Sequence, residues 1–193
     1  MDKFSKVQTI EDGADENELY SSNHMEVIQY NDGEVIKEKD SVAILPYFKY
    51  EGTLIMLSEY LPAYQYRNKD IQSLKRVTNY LSVITGGIEE GESVEKAIRR
   101  ELYEEGGVIL SNLFNIEYSG PFFKSKRHSS QIYMCILELN VNDYKQTVPP
   151  GDGSKSEKLS KTIKVSLGDI DNLKVNDLIT QNLILMLKKE YNI

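Results

Sequence analysis

Apolar and polar positions along the chain predict strands, then a helix, then strands, then a second helix. After a polar, acidic stretch without clear periodicity, residues 1–22, the pattern changes at His24. MEVIQY and EVIKE flank Asn31-Asp32-Gly33, which reads as a hairpin because that turn supplies the positive φ a tight connection needs. SVAILPYF and TLIMLSEYL are apolar runs of strand length with a Tyr-Glu-Gly turn between them. QYRNKDIQSLKRVTN, residues 65–79, is polar and basic and reads as an inserted loop or short helix. NYLSVI runs into Thr85-Gly86-Gly87, and a helix follows. NIEYSGPFF and QIYMCILEL predict later strands, separated by the basic KSKRHSS. VPPGDGSKSEKLSK is a loop rich in Gly, Ser and Lys, TIKVS a short strand, and LITQNLILMLKKEY a closing amphipathic helix. This order predicts an α/β sandwich on a mixed sheet. Residues 1–22 read as a polar N-terminal leader and 23–193 as a single domain, with a hairpin at 23–40 and an insertion at 65–79.

Composition narrows the function classes. A chain of 193 residues suits one domain with a sizeable core. Its net charge of −7 argues against a broad electrostatic grip on duplex nucleic acid. An acidic protein still handles phosphates when a divalent metal supplies the positive charge. The single cysteine, Cys135, excludes an intrachain disulfide and fits a reducing compartment. The N-terminus has no apolar secretory core and no apolar run approaches membrane-spanning length, so the expected address is the cytoplasm.

The stretch GGIEEGESVEKAIRRELYEEGGV, residues 86–108, is dense in carboxylates yet laced with Val, Ala, Ile and Leu. On a helical wheel at about 100° per residue, Val94, Ala97, Ile98 and Leu102 fall within an arc of roughly 140°. Glu105 lies near the middle of that arc, Glu101 inside it and Glu104 just beyond its edge. Lys96, Arg99, Arg100 and Tyr103 take the opposite side. The ordinary reading of a Glu-rich helix is a solvated face, but solvated carboxylates oppose the apolar stripe rather than join it. Like charges at these spacings repel, and at the edge of a core they are costly unless protonated or neutralised. A hard divalent cation is the natural neutraliser, since Mg²⁺ prefers oxygen ligands and keeps waters for substrate phosphates.

The spacing Gly86-x5-Glu92-x7-Arg100-Glu101-Leu102-x-Glu104-Glu105-x-Gly107-Val108 resembles the Nudix box, with every fixed position filled. The resemblance implies a Nudix-type α/β/α sandwich and Mg²⁺-dependent hydrolysis of a nucleoside diphosphate linked to another group, with Mn²⁺ as a substitute. It implies a metal site built from the Thr85 carbonyl and from Glu101, Glu104 and Glu105, with Glu104 also serving catalysis. It assigns Arg100 and Glu92 to a pair that buttresses the loop on the helix. Gly86 and Gly87 then let the chain turn where side chains would block phosphates.

Outside the box the chain is similar to the ADP-ribose pyrophosphatase branch. Thr85-Gly86-Gly87-Ile88-Glu89-Glu90-Gly91-Glu92 resembles its glycine turn, and Leu57-Ser58-Glu59-Tyr60-Leu61-Pro62-Ala63 its Tyr-Arg-Pro-Ala strand. In this branch a glutamate on the loop before the final strand often serves as general base. Glu157 is the candidate here, as that base or as a solvated loop carboxylate, with Asp152 a weaker substitute. Departures accompany the match. Leu61 stands where the branch has Arg, Ser82 and Ile84 stand near an expected Glu, and SGPFFKSKRHSS carries bases where an acid is expected. Lys124, Lys126, Arg127 and His128 read either as a solvated basic loop or as partners for a more anionic substrate. Arg67 is a candidate replacement for the missing Arg. Phe122, with Tyr47, Phe48 and Phe123, either stacks on a base or packs.

The leading expectation is a Nudix pyrophosphatase acting on ADP-ribose or a nucleotide-sugar, releasing a mononucleotide and a phosphorylated remainder. The alternative is a catalytically silent Nudix-fold domain that senses a nucleotide. The retained box carboxylates favour the enzyme. The resemblance also implies a homodimer meeting near the early hairpin, a nucleotide-type small-molecule substrate, and no membrane partner.

Overall fold

The structure is a computed structural model that describes residues 16–59, 61, 80–151 and 160–191. Arg67, the insertion at 65–79, Asp152 and Glu157 lie outside the described residues. The chain divides into two compact units. The first comprises the described part of Met1–Lys39 together with Phe123–Gln131, and the second Asp40–Phe122 with Ile132–Ile193.

In the first unit β1 (Glu16–Ser21), β2 (Glu26–Tyr30) and β3 (Gly33–Lys37) form a three-stranded antiparallel sheet. β1 lies in the stretch that shows no periodicity in the sequence. Its residues from Asn17 onward are exposed, so no buried face imposes an alternating pattern. The β2–β3 register pairs Tyr30 with Gly33, and the positive φ of the turn falls on Asn31, at 49°. The hairpin expected at 23–40 groups, as far as Lys39, with Phe123–Gln131.

The second unit is built on a mixed sheet in the order β12-β5-β4-β10-β9. These strands are β4 (Ser41–Phe48), β5 (Thr53–Glu59), β9 (Ser119–Phe123), β10 (Gln131–Leu139) and β12 (Lys161–Ser166). β10 runs parallel to β4, while β12 and β4 run antiparallel to β5. Side chains alternate between the two faces. Val42, Ile44, Phe48, Ile55, Leu57, Cys135 and Leu137 pack on one side with Ala97, Ile98 and Leu102 of α1 (Val94–Glu104). Ala43, Leu45, Leu54, Met56, Ile132 and Met134 pack on the other with Leu183, Ile184 and Leu187 of α2 (Leu178–Tyr191). The runs buried on both faces read as nearly continuous apolar sequence, as sheets covered by helices require. The expected α/β/α sandwich is the fold.

The apolar run NYLSVI is not one strand. β6 (Tyr80–Ser82) pairs with β5, whereas β7 (Ile84–Gly87) pairs with β4, and the chain crosses between them at Val83. The Val83 N–H leaves both ladders and donates instead to Thr180 Oγ1, 3.0 Å away on α2. Two short strands, β8 (Val108–Leu110) and β11 (Tyr144–Gln146), pair antiparallel beyond the end of α1. Three residues each, they are too short for a legible period. A 3₁₀ helix at Leu167–Asn172 links β12 to the segment before α2.

Candidate active site

The site begins where β7 hands over to α1. Ile88 N–H donates to the Asp40 carbonyl at 2.7 Å, which holds the turn after β7 to the start of β4. The turn closes when Glu89 N–H donates to Glu92 Oε2 at 3.0 Å. Ser93 then caps α1 by accepting from Lys96 N–H, and Glu95 in the first turn complements the positive end of the helix.

The apolar stripe of α1 faces the sheet, and Glu101 goes down with it, leaving only 8% of the residue exposed. It meets Gly86. A Cβ built on Gly86 would fall 1.8 Å from Glu101 Cδ, so a glycine is required for the carboxylate to lie against this strand. Burial raises the Glu101 pKa above the ordinary carboxylate range, partly offset by the neighbouring Arg100.

Arg100 organises the acidic edge. Its Nε donates to Glu92 Oε1 at 3.0 Å, and its Nη2 to Glu92 Oε2 at 2.8 Å and to the Gly87 carbonyl at 2.7 Å. Its Nη1 reaches Glu101 Oε1 at 2.5 Å and Glu104 Oε2 at 3.2 Å. The wheel set Arg100 opposite the apolar stripe, and the expected pair with Glu92 is present. The long side chain curls back along the helix because Glu104 lies one turn on and Glu92 at the helix entry. Glu92 is held below the ordinary carboxylate range, chiefly by its hydrogen bonds from Arg100, and the guanidinium is held protonated by Glu92.

The remaining candidates fall as follows. Thr85 is half-buried in β7, opposite Ala43 of β4. Glu104 is half-buried, and Glu105 forms the C-cap of α1 with its Oε2 shut off from solvent. Phe122 is exposed on β9. Lys126 and Arg127 belong to the first unit, where Arg127 Nη1 pairs with Glu34 at 3.1 Å. In the same unit Lys124 pairs with Glu38, and Ser125 Oγ lies 2.6 Å from His128 Nδ1. The basic loop is therefore largely engaged by acids of its own unit.

Among the described residues, no three His, Cys, Asp or Glu side chains stand gathered around an ion-sized point. The donor chemistry nonetheless fits a hard divalent cation. One cationic nitrogen, Arg100 Nη1, already touches both Glu101 and Glu104, and the Gly86 backbone leaves the Glu101 carboxylate the space that a side chain would fill. Two contacts at the far end of α1 have no local sequence signal. Gly151 N–H donates to the Glu104 carbonyl at 3.0 Å, and Thr162 Oγ1 to the Glu105 carbonyl at 2.6 Å. Both are long-range in sequence, so neither spacing nor periodicity marks them.

An acid-edged helix thus lies against a glycine-bearing strand within an α/β/α sandwich. The NUDIX domain model matches residues 50–178, more than half of the chain, and the chain belongs to the Nudix hydrolase family. Nudix hydrolases generally use divalent metals. A solved structure described as the crystal structure of an ADP compounds hydrolase is similar in fold, with a TM-score of 0.65 over 92% of each chain and 17% sequence identity. No curated protein matches the chain significantly in sequence. Among the described residues, no helix is long and apolar enough to cross a membrane.

Proposed function

We propose that the protein is a Mg²⁺-dependent pyrophosphohydrolase that cleaves the diphosphate of a nucleoside diphosphate linked to another group, of the ADP-ribose or nucleotide-sugar type. The products are a mononucleotide and a phosphorylated remainder. The observation that carries this reading is the buried Glu101 carboxylate, pressed on the Gly86 backbone and joined to Glu104 through a single Arg100 nitrogen. A solvated helix face has no reason to bury a carboxylate there. The similar structure described as an ADP compounds hydrolase points to the same substrate class.

Glu101, Glu104, Glu105 and the Thr85 carbonyl would hold the metal. Bound there, Mg²⁺ supplies Lewis-acid neutralisation of the diphosphate and makes water a better nucleophile. Gly86 gives the Glu101 carboxylate its space, and Gly87 presents backbone without a side chain to the phosphates. Arg100 and Glu92 keep that backbone fixed on α1, so the carboxylates and the turn move as one body. In the reaction a water oxygen adds to one phosphorus as the bond from that phosphorus to the bridging oxygen breaks. Glu157 accepts the water proton, a role carried over from the family resemblance. Arg67 and Phe122 contact the substrate beyond the diphosphate, and a homodimer belongs to the same resemblance.

The test is a panel of ADP-ribose, NADH, GDP-mannose, diadenosine polyphosphates and nucleoside triphosphates, with Mg²⁺, Mn²⁺ or a chelator, read by chromatographic identification of products. Turnover of a diphosphate-linked compound to a mononucleotide, lost on chelation, is the expected result. Nucleotide binding without turnover across the panel would identify a sensor domain instead. Turnover that persists with the chelator would remove the metal from the mechanism.

A further inference from the structure

The C-terminal end of α1 is finished in part by residues far along the chain. The last carbonyls of a helix have no intrahelical donor, and their aligned dipoles leave that end partially negative. The Glu105, Gly106 and Gly107 N–H groups take the carbonyls of Glu101, Leu102 and Tyr103, at 2.9, 3.1 and 3.1 Å. That leaves the carbonyls of Glu104 and Glu105, and no basic residue stands in the last turn. Gly151 N–H serves the first of these and Thr162 Oγ1 the second.

Thr162 is placed for this by the alternation of β12. Ile163 and Val165 pack with the cluster beneath α2, so Thr162 and Lys164 take the opposite face. Lys164 Nζ lies over the Phe48 ring there, 5.4 Å from its centroid, on the face that α1 covers. The strand itself is fixed by six residue pairs with β5, from Lys161 opposite Ser58 to Ser166 opposite Thr53.

We propose that Thr162 is a positioning residue for the metal carboxylates of α1. Its hydroxyl ties the peptide carrying Glu105 to a strand of the central sheet, at the end of the helix where fraying would swing Glu104 and Glu105 away from Glu101. The device acts on a backbone carbonyl and uses no carboxylate oxygen, so it keeps the helix end in register without competing for the ion's ligands. This rests on the metal role assigned under Proposed function.

The experiment is Mn²⁺ titration of the full-length protein, followed by the electron paramagnetic resonance signal of free Mn²⁺, with metal-free thermal melts alongside. Thr162→Val keeps the shape and branching but loses the donor, and Thr162→Ser keeps the donor. The expected result is a Mn²⁺ dissociation constant raised about 10-fold in Thr162→Val, the scale seen when an outer partner of a metal ligand is lost, and restored in Thr162→Ser. Parent-like Mn²⁺ binding by Thr162→Val would overturn the proposal, as would failure of Thr162→Ser to restore it. Glu105→Gln separates the two claims. Unchanged Mn²⁺ binding in that variant would sink the metal role itself. Lost binding there, beside parent-like Thr162→Val, would sink only the positioning role.

Discussion

Arg100 and Glu92 meet as one fork on another, Nε on Oε1 at 3.0 Å and Nη2 on Oε2 at 2.8 Å, with Nη2 also holding the Gly87 carbonyl. The pair fastens both ends of the glycine turn to the middle of α1. A lysine has one point charge and no fork, so it cannot serve Glu92, Gly87, Glu101 and Glu104 together. Arg100→Lys should cost about 2 kcal/mol of stability, read by urea denaturation, and lower kcat/KM as well. Glu92 adds a pH signature. Its folded pKa is depressed, so its contribution is present above the unfolded carboxylate value and is lost as pH falls through the folded one. The Tm gap between the parent and Glu92→Gln should therefore narrow on acidification below the ordinary carboxylate range. A gap that widens there would contradict the pairing.

Gly86→Ala tests the contact between β7 and α1. The new Cβ would sit 1.8 Å from Glu101 Cδ and 1.9 Å from Oε1, so the carboxylate has to move. A displacement of about an ångström in a catalytic constellation costs about 100-fold in rate. Turnover in Mg²⁺ should fall by about that factor while circular dichroism stays that of the parent. Parent-like turnover would show that the Glu101 position does not matter to the chemistry.

The fold and the acidic helix were legible because both are local patterns. SVAILPYF, QIYMCILEL and LITQNLILMLKKEY predict elements whose limits match β4, β10 and α2, since apolar density and length decide them. The wheel finds Glu101 on the buried face because a helix fixes that direction by geometry alone. It does not show that Arg100 also reaches Glu101 and Glu104, because a long flexible side chain chooses its partners after the backbone is set. The break at Val83 is also hidden. Its cause is the Thr180 hydroxyl, distant in sequence, which rewards the N–H for leaving the ladder. Thr162 and Gly151 escape for the same reason, each meeting α1 only through the tertiary fold.

Glu59 carries a pH dependence of opposite sign. It sits at the end of β5, accepts a hydrogen bond from Ser82 Oγ, and has its pKa raised by burial, with Asp177 adding a smaller push in the same direction. A carboxyl group whose folded pKa is raised stabilises the native state below the unfolded value, and that contribution is lost as pH rises through the folded value. Glu59→Gln keeps an oxygen acceptor for Ser82 and cannot ionise. The variant should gain in Tm relative to the parent as pH rises from about 4 to 7, in differential scanning calorimetry at matched salt. A Tm difference independent of pH would show that Glu59 titrates normally.

The α2 start offers a test of stability well away from the Arg100 cluster. Asp177 caps the helix, accepting from Ile179 N–H at 3.2 Å and from Thr180 N–H at 2.8 Å. The Thr180 hydroxyl also donates to Asp177, and it accepts the Val83 N–H where the chain crosses from β6 to β7. Asp177→Ala removes a cap, worth about 1 kcal/mol. Thr180→Val, at a fully buried position, also leaves the Val83 N–H without its acceptor, and an unsatisfied buried donor costs about 1–3 kcal/mol. Thr180→Val should therefore be the more destabilising of the two in urea, although it conserves shape and Asp177→Ala does not. The Val83 crossing sets where the chain leaves β5 for β4, so the lost bond should also raise amide exchange at Thr85–Gly87 in Thr180→Val and not in Asp177→Ala. Equal destabilisation with unchanged exchange would mean that the crossing is held by the apolar packing of Val83 and Ile84 rather than by the Thr180 hydroxyl.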